Sequence, residues 1–228
     1  MVMPKRRKNI LIIAPHPDDD VIGMGGTIAV KAKEGYSFNI IYVTNGGGSI
    51  KTEEYKELSK TELIRLRKSE AKRSLVPLVD DVSEAEQVFL GLESSVLFNT
   101  PELYTRELEN ILKTKKYDEI YIPYYKDKHP THRAVAELSM EVIKGHKLKS
   151  ELFAYETWDA LPTDEDTIIV DISKYYKNKL SAVSCHKSQC SITPFDEGII
   201  AKNRYNAIFN QVNTKKKMEY AELFLRLN

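Results

Sequence analysis

The sequence predicts an α/β domain with a mainly parallel central sheet. Two observations carry this. Short, continuous apolar runs of strand length recur along the chain, and longer segments of helical spacing separate them. A third observation, the lack of any internal repeat or low-complexity linker, predicts one domain over residues 1–228, long enough to bury a sizeable core.

The first run, Ile10-Leu11-Ile12-Ile13-Ala14, has no polar residue and reads as a buried strand. A helix is expected over 26–34, ended by Gly35. Residues 38–44 form the second strand, and Gly46-Gly47-Gly48 is a flexible break behind it, not a domain boundary. Residues 52–75 read as one long charged helix, with Leu58, Leu63, Leu66 and Ala71 on a single apolar stripe. A strand at 87–90 follows. Helices at 101–115 and 130–144 each open on Pro at a first helical position, with a strand at 119–123 between them. Strands at 152–155 and 167–171, then helices at 174–186 and 201–211, complete the alternation.

Lys plus Arg number 34 and Asp plus Glu 33, a net charge of +1. That balance creates no field for nucleic acid or an anionic membrane, and neither is expected as a partner. The cluster Lys5-Arg6-Arg7-Lys8 reads as part of a frayed, solvated tail over 1–8. No stretch has the length of a membrane span. The apolar run at 10–14 is too short for a signal peptide, and His16 with three Asp stands where a cleavage site would be needed. The expected compartment is the cytoplasm, with Cys185 and Cys190 as free thiols. Homo-oligomer formation is left open by the sequence.

Chemistry enters directly behind the first strand, in His16-Pro17-Asp18-Asp19-Asp20. An imidazole and three carboxylates at the end of a buried strand carry a large desolvation penalty unless something compensates them, and a divalent cation would. In parallel sheets ligands bind beyond the carboxyl ends of strands, where this cluster lies. A second polar group, Asp127-Lys128-His129-Pro130-Thr131-His132, follows the 119–123 strand and can converge with it. Two His and one Asp would leave a position open for water, as catalytic zinc requires. Asp18, beside Asp19, must point elsewhere and can approach that water as a base. The His-Glu-x-x-His signature of metalloproteases is absent.

Taken in order, His16-Pro17-Asp18-Asp19-Asp20, Gly23-Met24-Gly25-Gly26-Thr27 and His129-Pro130-Thr131-His132-Arg133 resemble the LmbE-like (PIG-L) deacetylase family. The resemblance covers most of the chain. Arg67 with Glu70, Tyr155-Glu156-x-Trp158 and His186-x-Ser188-Gln189 are lesser points of likeness. It implies a Rossmann-like three-layer αβα sandwich. It implies zinc (Zn2+) as cofactor, another divalent ion being compatible, and an N-acetylglucosamine conjugate or related N-acetyl sugar as small-molecule substrate. His16, Asp19 and His132 would hold the metal. Asp18 would be the general base. His129 would stabilise the oxyanion or help protonate the leaving amine, and Arg67 would contact sugar hydroxyls or a charged aglycone. Two departures stand out: Asp20 where the family's first motif usually ends in Glu, and Thr131 where many members carry Asp. The second puts the role of His129 in question, with Asp127 as the nearest substitute charge.

Bland readings compete at several positions. Arg67 and Glu70 could be an intrahelical ion pair. Gly23-Met24-Gly25-Gly26 could cradle a phosphate, although close backbone packing explains it better. Trp158 reads as packing before sugar platform. Two rivals to the deacetylase are therefore a non-catalytic nucleotide- or sugar-binding α/β module and a metal-dependent hydrolase of a non-sugar amide.

Overall fold

The computed structural model describes residues 7–163, 166–214 and 216–228. Its elements are, in order, β1 (Asn9–Ala14), α1 (Asp19–Lys33), β2 (Ser37–Thr44), α2 (Lys60–Ser74), β3 (Ala85–Leu92), α3 (Val96–Asn99), α4 (Glu102–Thr114), β4 (Glu119–Pro123), α5 (Pro130–Gly145), β5 (Glu151–Tyr155), β6 (Thr167–Asp171), α6 (Tyr176–Val183), α7 (Lys187–Cys190), α8 (Phe195–Thr214) and β7 (Ala221–Arg226). One seven-stranded sheet has the order β3-β2-β1-β4-β5-β7-β6. Pairings from β3 through β5 are parallel, and β7 runs antiparallel to both its neighbours.

β1 lies inside the sheet, and its alternate residues feed two cores. Ile10, Ile12 and Ala14 pack with α1, α2, α6 and α8, while Leu11 and Ile13 pack with α3, α4 and α5. Burial on both faces is why this strand is apolar throughout. Helices on both faces of the sheet make the three-layer αβα sandwich. The strand order reverses at β1, which pairs with β2 on one side and β4 on the other. The crevice at such a reversal is where sheets of this kind bind ligands.

Several boundaries differ from expectation. α1 begins at Asp19, seven residues before the expected start, and includes the glycines, with a break at Met24 (φ −144°, ψ 21°). Glycine lowers helix propensity by about 1 kcal/mol per residue, so the sequence pushed the start downstream. Packing requires these glycines: a Cβ on Gly23 would lie 2.3 Å from the Tyr155 ring, and one on Gly26 2.7 Å from Ile172. α2 starts at Lys60, not 52, because Ser59 and Glu62 form a reciprocal capping box. Its buried face is Leu63, Arg67, Glu70, Ala71 and Ser74, so the expected leucine stripe is interrupted by a charged pair. β7, α3 and α7 were not expected. β7 escapes notice because buried Glu222 interrupts its apolar pattern. That carboxylate accepts from the Gly26 and Thr27 N–H groups (2.9 and 2.7 Å) and from Lys179 Nζ (2.6 Å). It caps the second segment of α1 and fills the place a bound phosphate would need.

Of the expected basic tail, residues 1–6 lie outside the described residues. Arg7 pairs with Glu84 at 2.6 Å, and the Lys8 carbonyl accepts from Ser37 N–H. Among the described residues, no helix is long and apolar enough to cross a membrane.

Candidate metal centre

Adjacent strands deliver the two motifs. The chain leaves β1 into His16 and Asp19, and leaves β4 into residues 124–132, so His16 and His132 meet across the crevice. His16 N–H donates to Asp19 Oδ2 at 2.8 Å, folding the first motif back on itself. His16 Nδ1, Asp19 Oδ2 and His132 Nε2 then form a near-equilateral triangle. Its edges are 3.1 Å (His16–Asp19), 3.2 Å (His16–His132) and 3.2 Å (His132–Asp19). Neighbouring ligands of a tetrahedral ion bound at about 2.0–2.1 Å stand about 3.3–3.4 Å apart, so the donor set fits a cation of that class. His129 also brings a ring nitrogen within 4.8 Å of those of His16 and His132. The tighter triangle includes Asp19 in its place.

The tautomer of His132 is set from behind. Thr157 Oγ1 donates to Asp127 Oδ2 (2.9 Å), so at the 2.9 Å contact with His132 Nδ1 it must accept. Nδ1 therefore carries a proton, and Nε2 is the nitrogen turned toward the triangle. Asp127 is fully buried. Its Oδ2 also accepts from Trp158 N–H and lies 3.6 Å from His132 Nδ1, while Oδ1 accepts from His129 N–H. The charge missing at Thr131 is thus supplied by Asp127, but to His132 and not to the ring of His129. The His129 Nδ1 atom is buried with no hydrogen-bond partner among the described residues.

The electrostatics are those of a site built for a cation. Against burial, which opposes the imidazolium, Asp19 and Asp127 lift His132 to about 10. Burial would raise Asp19, yet His132 and His16 hold it well below the usual carboxylate range. In the absence of a metal the proton takes its place. Burial, together with the charges of His132 and His16, lowers His129 to about 4 and keeps its ring neutral at pH 7. Asp20 lies deeper: burial pushes its carboxyl up to about 7, against the 2.8 Å hydrogen bond from Tyr42.

Asp18 sits beside the triangle and pairs with Arg67 Nη2 at 3.0 Å. Arg67 Nη1 donates to the Gly46 carbonyl (3.0 Å) and to Ser49 Oγ (2.5 Å). Gly46 adopts φ +68°, and a Cβ there would fall 2.6 Å from Arg67 Nη1, so only glycine suits the position. Glu70 does not complete an intrahelical pair but accepts from Ser188 N–H and Oγ on α7. Gln189 accepts from Ser49 at 3.2 Å. His186 is buried with both ring nitrogens unpartnered among the described residues. His16, Asp18, Asp19, Arg67 and His129 all line one cavity of about 650 Å³, behind which His132 is buried. Sequence reasoning missed Thr157 and Ser49. Each is a common polar residue whose relevance depends on a neighbour from another strand loop.

Residues 11–143 match the family described as PIG-L: GlcNAc-PI de-N-acetylase. The diacetylchitobiose deacetylase of Thermococcus kodakarensis is 32% identical over 202 residues, covering 80% of this chain and 70% of that protein. A Bacillus cereus protein described as Probable N-acetyl-alpha-D-glucosaminyl L-malate deacetylase 2 is 24% identical over 208 residues, covering 86% of this chain and 90% of that one. Among solved structures, the N,N'-diacetylchitobiose deacetylase from Pyrococcus horikoshii shares the fold with a TM-score of 0.78. It is 24% identical, with 96% of this chain and 84% of that chain covered.

Proposed function

The chain belongs to the PIG-L family, and from that premise we propose that it is a metal-dependent hydrolase that removes the acetyl group from an N-acetyl sugar, a glucosamine conjugate. The observation that carries the reading is the triangle of two imidazole nitrogens and one carboxylate oxygen beside an open cavity that also holds an unligated carboxylate, Asp18.

His16, Asp19 and His132 would hold the ion, and zinc suits two nitrogens and one oxygen with a position left open. When bound, zinc lowers the pKa of water toward about 7 and polarises a carbonyl. Asp18 accepts the proton of the attacking water and returns it to the departing amine. Arg67, locked by Gly46 and Ser49, holds that carboxylate in place, and any contact it makes with a sugar hydroxyl comes on top of this. His129, neutral at pH 7 and on the cavity lining, would offer a ring N–H to the oxyanion of the tetrahedral intermediate. The free thiols Cys185 and Cys190 suit the cytoplasm as its compartment. The rival nucleotide-binding module loses its phosphate cradle to Glu222.

Asp18→Asn tests the assignment. Amine release from N-acetylglucosamine conjugates should fall by about 10²–10⁴-fold with metal content unchanged, and a chelator should abolish it in the wild type. Full activity of the metal-loaded variant would move the base elsewhere.

A further inference from the structure

Behind the proposed base, Arg67 Nε and both ring nitrogens of His186 are buried with no hydrogen-bond partner among the described residues. Each of the two residues is 2% exposed. Native structures leave few buried polar atoms unpaired, so three from two neighbouring side chains need a physical reason.

Separate elements bring the two side chains together. Arg67 and Glu70 lie on the buried face of α2. Glu70 accepts from Ser188 N–H at 2.9 Å and from Ser188 Oγ at 2.6 Å, which docks the start of α7 on that face. His186 immediately precedes α7. Just beyond Ser188, Gln189 accepts from the Ser49 hydroxyl that also receives Arg67 Nη1. Of the charged groups around His186, Asp18 and Arg67 act on it most strongly. Burial pushes the imidazole down to about 4 against the opposing charge of Asp18, and Arg67 lowers it further, so the ring is neutral at pH 7.

The unpaired atoms are complementary in kind. A neutral imidazole has one bare nitrogen, which accepts, and Arg67 Nε–H can only donate. The other guanidinium nitrogens are committed, Nη1 to the Gly46 carbonyl and Ser49, and Nη2 to Asp18. No direct bond joins Nε to the ring. Buried waters bridge such groups, each making about three hydrogen bonds to polar atoms that otherwise lack partners.

Resting on the deacetylase reading, we propose that His186 is a positioning residue for Asp18: one buried water accepts from Arg67 Nε–H and donates to the bare nitrogen of the His186 ring. This completes the hold on the guanidinium that in turn holds the base. His186 does not line the cavity, so it acts through Arg67 and not on the substrate. A loosened base costs rate in the chemical step more than it costs binding.

The test combines a crystal structure of the zinc-loaded protein with a kinetic cycle on N,N'-diacetylchitobiose. The crystal structure should show an ordered water within about 3.2 Å of both Arg67 Nε and a His186 ring nitrogen. His186→Leu should lower kcat about tenfold, with KM within about threefold of the wild type and zinc content unchanged. His186→Gln, which keeps an acceptor, should restore kcat to within about threefold, and it carries the kinetic test if the leucine variant does not fold. In an Arg67→Lys background, which lacks Nε–H, His186→Leu should change kcat by less than about twofold. A crystal structure without the bridging water, wild-type kcat in folded His186→Leu, or a full further loss in the Arg67→Lys background would overturn the proposal and leave the deacetylase standing. If the zinc-loaded wild type releases no amine from any N-acetyl sugar, the deacetylase reading fails, and the water still decides whether His186 and Arg67 are joined.

Discussion

Replacing Asp127 by Asn would test the support behind the proposed metal ligands. Each carboxylate oxygen faces donors: Oδ1 the His129 N–H, and Oδ2 the Thr157 hydroxyl, the Trp158 N–H and, at 3.6 Å, His132 Nδ1. An amide fits this environment badly in either orientation. The better one keeps its oxygen toward Thr157 and turns its NH2 against the His129 N–H, so that two donors face each other without an acceptor, at a cost of at least about 1–3 kcal/mol. The carboxylate charge that makes His132 a stronger ligand is lost as well. Outer partners of this kind change metal affinity by about 10–100-fold, equivalent to about 1.4–2.7 kcal/mol. The variant should therefore bind zinc about 10–100-fold more weakly in competition with a chromophoric chelator. Its metal-free form should also lose about 1–3 kcal/mol in urea unfolding. A folded Asp127→Asn protein that holds zinc within twofold of the wild type would refute the idea that Asp127 acts through His132.

Three further outcomes follow from the same structure. Ligation at Nε2 needs a neutral imidazole, and His132 without metal is lifted to about 10, so zinc binding at pH 8 should release about one proton and tighten as pH rises toward that value. Calorimetry in two buffers of different ionisation enthalpy measures the proton, and identical heats would contradict it. The same imidazolium stabilises the metal-free fold fully below the ordinary value of 6.5, and this contribution fades as pH climbs through about 10. Glu222→Gln should cost about 3–5 kcal/mol in denaturant unfolding, because it strands the buried Lys179 charge. The Lys179→Met/Glu222→Gln double variant should recover part of that loss, and purely additive effects would show that the two do not act as a pair.

Much of this protein could be read before folding was considered. β1, β2, β4, β5 and β6 are apolar runs whose pattern is local; burial in the parallel part of the sheet writes the first four as largely hydrophobic stretches, while β6 is a short apolar edge strand antiparallel to β7. The early start of α1 and the late start of α2 were obscured for different reasons. The glycines of α1 oppose helix on propensity and are tolerated because Tyr155 and Ile172 leave no room for a Cβ. Ser59 and Glu62 did announce the start of α2, as a capping box overlooked within a longer charged stretch. β7 is a strand by tertiary demand, since its Glu222 is acceptable only where Gly26, Thr27 and Lys179 satisfy it. The candidate ligands were visible as motifs because each is a compact cluster of expensive side chains.

Strand patterning and the desolvation of clustered charge are local properties, so the layered α/β architecture and the two candidate ligand loops are legible along the chain. Folding in three dimensions sets β1 and β4 side by side, and that adjacency closes His16, Asp19 and His132 into a triangle. The same folding pairs Asp127 with His132, Arg67 with Asp18 and Lys202 with Glu156. These are pairings between residues far apart in the chain. Their energies depend on distance and burial in space, which no pattern of neighbours along the chain encodes.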